Sequence, residues 1–160
     1  MSSLYQRFDT EAAYRASIDS VLAAARRNIR ILDQDLSRMQ LDSPERSRLL
    51  AEFLRKSPEQ RLLVALHDCT LLPTRMPRLM ELLTRYPQVL EIRSIPDEFR
   101  HLADCHILVD ETHGVRRFHS AQPRGAMILD DAAEIHPWWQ RFDELWSLCG
   151  QTGLGSRLPT

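Results

Sequence analysis

Short apolar runs alternate with helix-length amphipathic stretches along most of this chain, and that alternation restricts the available folds more than any other feature. The runs lie at 28–32, 62–67, 89–95, 105–110, 115–119 and 126–129. Runs this short and this rich in Val, Ile and Leu are strand material. Four helical patterns lie before, between and after them. The first, 11–28, repeats Tyr14, Ile18, Val21, Leu22 and Ala25 at helical spacing, with Asp9 or Thr10 as cap. The second opens on Ser43-Pro44-Glu45, a capping serine with proline and an acid in the first turn, and buries Leu49, Leu50, Phe53 and Leu54. The third, 75–86, holds Pro77 in its first turn and stops at Pro87. The fourth runs from Pro137 to Gly150 with a stripe of Trp138, Phe142, Leu145, Trp146 and Cys149. Helix, βαβαβ, a three-strand meander and a closing helix predict a three-layer α/β/α sandwich with a mixed sheet.

Size and charge narrow the function. A chain of 160 residues is expected to form one domain, 1–149, with a flexible glycine-rich tail over 150–160. Net charge is -1, so charge does not indicate nucleic-acid binding. Of 21 basic residues one is lysine, Lys56, leaving 20 arginines. Chemistry that needs an amine therefore has one side chain to draw on, because arginine stays protonated. Cys69, Cys105 and Cys149 show neither zinc spacing nor a redox pair. No stretch approaches a membrane span, and the first seven residues hold no apolar run. A cytoplasmic location, no membrane contact and no cofactor are expected.

The order of elements and several segments resemble half of a phospholipase D-like fold. "SVLAAARRNIRIL" is similar to the helix-then-strand opening of such a domain, "CHILVD" (105–110) to the strand ending in the aspartate of the HxKxxxxD motif, "AMILDD" to a later strand and "RFDELW" to the closing helix. Aligning Asp110 with the motif aspartate puts Ala103 at the histidine and Cys105 at the lysine. In the family that histidine attacks phosphorus and that lysine neutralises the phosphate oxygens. The resemblance therefore implies a degenerate phospholipase D-like domain, similar to an uncharacterised proteobacterial family. It also implies a homodimer, because enzymes with one half-fold often pair two chains across a shared site.

Several polar groups compete as sites. With a two-residue hairpin loop at Thr112-His113 or His113-Gly114, one strand face carries His106, Asp110, Arg117 and His119. Such a face is a candidate catalytic or metal centre, or a rim of paired polar residues. Arg116, Arg117 and Arg124, and likewise Arg26, Arg27 and Arg30, are candidates for an anion site. Asp33-Gln34-Asp35 follows a strand and resembles the opening motif of haloacid-dehalogenase-type phosphatases, with Asp130-Asp131 and Lys56 as partners, or else caps a turn. His67 and Cys69 form a possible nucleophile pair, set against a buried structural cysteine. Trp139 falls off the helical stripe and is expected at an interface, while Trp138 and Trp146 are expected in the core. The expected function is a non-catalytic binding or interaction module for a phosphate-bearing ligand or a protein partner. The alternative is a phosphoester hydrolase working from His106, Asp110 and His119.

Overall fold

The computed structural model describes residues 2–152. Eight strands form one mixed, open sheet in the order β1-β7-β6-β5-β2-β3-β4-β8. They are β1 (Leu4–Phe8), β2 (Asn28–Asp33), β3 (Arg61–Leu66), β4 (Leu90–Ser94), β5 (Cys105–Val109), β6 (His113–His119), β7 (Gln122–Leu129) and β8 (Gly150–Gln151). The helices are α1 (Glu11–Ala24), α2 (Pro44–Arg55), α3 (Leu72–Arg75), α4 (Pro77–Arg85) and α5 (Ala132–Trp146). β2, β3 and β4 are parallel and every other pairing is antiparallel. The expected mixed α/β sheet with flanking helices is therefore the observed one.

The capping residues read from the sequence act as caps. Thr10 Oγ1 accepts from the Ala13 amide at 3.0 Å, and Ser43 Oγ from the Arg46 amide at 3.2 Å. Strand alternation then sorts the core. Ile29 and Ile31 of β2, Leu62 and Val64 of β3, and Ile107 and Val109 of β5 point to α1, α2 and α4. Leu32, Ala65 and Leu108 point the other way, to α5. Helices α1, α2 and α4, with the short α3 adding Leu72, thus close one face and a single helix covers the other.

Four expectations need correction. β1 was hidden because it is an edge strand with four of five residues exposed, so LYQRF carries no apolar run. α5 begins at Ala132, capped by Asp131, whose Oδ1 accepts from the Glu134 amide at 3.1 Å, and Pro137 lies inside the helix. The extra turn brings in Ile135 and sets the stripe as Ile135, Trp139, Phe142 and Leu145. Trp139 is accordingly buried at 6% exposure, while Trp138 and Trp146 are only partly buried. The tail expected over 150–160 starts with a paired strand, since Gly150 and Gln151 align with Ser94 and Arg93; residues 153–160 lie outside the described residues.

The β5–β6 register is the fourth. The loop has three residues, Asp110-Glu111-Thr112, so His106 aligns with Arg116 and Cys105 with Arg117. Asp110 and Glu111 take φ of 54° and 61°, and the Thr112 amide donates to Val109 O at 3.1 Å, a tight hairpin turn. Asp110 dictates this. Its carboxylate accepts from the amides of Arg26, Arg27 and Asn28 at 2.7, 2.9 and 2.9 Å, and its own amide donates to Asn28 O at 2.9 Å. Held on the α1–β2 turn, Asp110 leaves the ladder. One residue of shift exchanges the two faces of β6.

Candidate functional site

The register separates the hairpin candidates. His106 is fully buried beneath α5, 6.0 Å from the Phe142 ring, and neither ring nitrogen has a hydrogen-bond partner. Burial, with Arg141 and Arg116 nearby, lowers its pKa to about 3 against a smaller opposing effect of Asp104. Asp110 sits at the far end of β5 with its carboxylate engaged by three amides. His119 is exposed at the end of β6, its Nδ1 accepting from the Ala121 amide at 3.1 Å. Among the described residues no cluster of three or more His, Cys, Asp or Glu could hold a metal.

The arginines separate too. Arg116 lies 3.5 Å over the Trp138 ring and pairs with Asp104 at 3.2 Å, on the α5 face. Arg124 is exposed near the edge of the sheet. Arg117 points to the opposite face and is 1% exposed. Its two Nη atoms donate to both oxygens of Glu11 at 2.7 and 2.9 Å, its Nε to Ser120 O at 3.2 Å, and the guanidinium lies 4.7 Å over Tyr14. The forked bond to Arg117 holds the Glu11 carboxyl below its usual range.

Arg117 lines a cleft of about 220 Å³ with Asp33, Gln34, Asp35, Ser37, Arg38 and Ser120. The cleft lies at the carboxyl end of β2, where open α/β sheets place their sites. Asp33, almost wholly buried, accepts from the Leu36 amide at 2.7 Å and is bonded to the Cys105 thiol. Burial pushes the Asp33 carboxyl up, against those two bonds, and burial with Asp33 beside it also pushes the Cys105 thiol up. Asp35 instead accepts from the Ser37 amide and hydroxyl at 3.0 and 2.6 Å. Leu36 takes a φ of 73° and is fully buried, so a non-glycine residue holds a left-handed conformation beneath the cleft. Arg38 is exposed, its Nη1 bonded to Ser120 O.

The remaining candidates serve turns or lie apart. Asp68 accepts from the Thr70 amide and hydroxyl at 2.9 and 2.7 Å, while burial raises the Cys69 thiol and lowers the His67 imidazole. Lys56, Arg26, Arg27 and Asp130 line a separate cavity of about 840 Å³ at the opposite end of β2. Asp33 and Asp130 therefore do not meet as a phosphatase pair. Arg38 and Ser120 of the cleft, and Glu11 and Tyr14 that hold Arg117, were absent from the sequence candidates. Glu11 and Arg117 are 106 residues apart, and no local pattern signals such a contact.

The fold is phospholipase D-like. A phospholipase D family member, Nuc from Salmonella typhimurium, superposes with a TM-score of 0.66 at 13% identity over 92% of this chain and 95% of that one. NucT from Helicobacter pylori gives 0.61 at 9% identity over 94% and 99%. TrmBL2, an archaeal chromatin protein with a novel mode of DNA binding, gives 0.66 at 13% identity over 92% of this chain and 54% of that one, so the chain spans about half the length of TrmBL2. No curated protein matches the chain in sequence. The chain belongs to the family described as "Domain of unknown function (DUF7931)", which matches residues 10–152.

Proposed function

We propose that the chain acts as one non-catalytic phospholipase D-like domain that binds a phosphate-bearing ligand in the cleft at the end of β2. The observation that carries this reading is the pairing of Arg117 and Arg38 in a cleft beside Cys105. The exposed Arg38 offers donors to phosphate oxygens, and Arg117, held by Glu11 and Ser120, adds positive charge from the cleft wall. The degenerate motif supports the absence of turnover. Ala103 supplies no nucleophile, and Cys105 spends its thiol on Asp33. The resemblance carries a homodimer into the same proposal.

Thermal shift tests the binding reading, because a ligand that prefers the folded state raises Tm by mass action. Inorganic phosphate, nucleotides and short oligonucleotides should include at least one that raises Tm, and Arg38→Glu should abolish that rise while leaving the unliganded Tm unchanged. Hydrolysis of a phosphodiester by the wild-type protein, lost in His106→Ala or His119→Ala, would overturn the non-catalytic reading. Sedimentation checks the dimer.

A further inference from the structure

The sheet ends at β1 on one side, and this edge is open among the described residues. An unpaired edge offers backbone donors and acceptors to any extended chain. Proteins commonly blunt such an edge by covering it. Here the neighbouring surface is built the other way. Leu4 and Tyr5 are 41% and 47% exposed, and Phe118 of β6 is 41% exposed.

The side chains around the edge have a consistent placement. Tyr5 aligns with Ile128 and Arg7 with Ala126. Ile128 belongs to the core beneath α5, so Tyr5 and Arg7 stand on the α5 face, beyond the helix. Arg124 is two residues before Ala126 on β7 and shares that face. Phe118 lies there too, with the Arg116 guanidinium 5.8 Å over its ring. Arg7, Phe8, Asp9, Phe118, Arg124 and Gly125 line a groove of about 410 Å³. Most arginines in this protein are engaged by carboxylates, carbonyls or indole rings. Arg7 and Arg124 are exposed and, among the described residues, make no hydrogen bond or ion pair.

We propose that the β1 edge takes up an extended acidic polypeptide segment as a ninth strand. Its carboxylates would pair with Arg7 and Arg124, and the apolar side chains alternating with them would lie beside Leu4 on the opposite face. The open backbone favours a polypeptide, since main-chain pairing gives affinity and alternate side chains give specificity. The unpaired arginines favour an acidic one by charge complementarity. This surface is separate from the cleft at the end of β2, and β1 precedes the region matched by the family, residues 10–152.

The test is fluorescence anisotropy of the full-length protein with a labelled peptide of alternating Glu and Val, about seven residues long to match the length of a typical strand. Saturable binding that weakens with salt is expected, with a lysine–valine peptide showing none. The double variant Arg7→Glu/Arg124→Glu should weaken binding by about tenfold or more with unchanged Tm. A peptide N-methylated at alternate residues keeps its charges and loses its strand donors, and it should also fail to bind. Absence of binding overturns the proposal, as does equal binding by the N-methylated peptide or by the double variant. Preference for a single-stranded oligonucleotide at this edge, or self-association of the protein through β1, would overturn it equally.

Discussion

The two faces of the sheet are closed by different chemistry. Toward α1, α2 and α4 the contacts are mostly apolar, from Ile18 and Val21 through Phe53 to Leu79 and Leu83, with the Arg117–Glu11 pair over Tyr14 as the charged exception. Toward α5 every tryptophan carries a guanidinium. Arg30 lies 4.0 Å over Trp139, Arg93 4.3 Å over Trp146, and Arg116 3.5 Å over Trp138. Arg30, Arg93 and Arg116 rise from β2, β4 and β6, and the indoles descend from α5. Asp104 ties Arg116 to Arg141 at 3.2 and 2.6 Å, and burial of Asp104 is outweighed by these partners, which hold its carboxyl below the usual range. A planar guanidinium is weakly hydrated and stacks on an indole, so arginine can take the place of an aliphatic side chain between sheet and helix. The difference teaches that an arginine-rich chain can close a sheet face without removing all of its charge.

The largest effect should come from the apolar face toward α1, α2 and α4. Phe53→Ala empties a 2% exposed position and should lower unfolding stability by about 4 kcal/mol in denaturant titration. A loss under about 1 kcal/mol would show that this face is not the rigid half. Next comes the α5 face in acid. The folded-state pKa of His106 lies near 3, below its unfolded value. The folded state therefore binds fewer protons, and the stability contribution is complete above the unfolded pKa near 6.5 and falls as pH drops toward 3. Between pH 6.5 and 4.5 the loss from this group should be about 2 to 3 kcal/mol. His106→Phe should flatten that limb of the stability–pH curve, and an unchanged limb would assign the acid sensitivity elsewhere. The smallest effect is expected from Arg93→Lys, which replaces a stacked plane by a point charge over Trp146. It should lower stability by about 0.5 to 1 kcal/mol, and a gain would refute the stacking account of this face.

Helix α2 was legible in its start and in most of its stripe, because Ser43, Pro44 and Glu45 act locally and Leu50, Phe53 and Leu54 are periodic, although Leu49 is only half-buried and Arg46 takes a buried place. Helix α5 was legible as a helix but not in phase. A start at Pro137 leaves out Ile135 and predicts an outward Trp139, whereas Trp139 turns inward in the fold. The hairpin failed more instructively. Alternation of 105–110 and 115–119 is clear from either strand alone, yet the register depends on Asp110 capping the amides of Arg26, Arg27 and Asn28, which lie more than 80 residues away.

The sequence by itself determined the element types, most of their order and the mixed sheet with flanking helices. Those follow from apolar periodicity and capping chemistry, which act within a few residues. Only the tertiary structure decided which arginine faces which way. Strand faces alternate with a period of two, so a single-residue shift sends Arg117 to Glu11 and the cleft, and Arg116 to Trp138 and Asp104. That choice rests on contacts between residues distant in the chain, and local pattern carries no information about them.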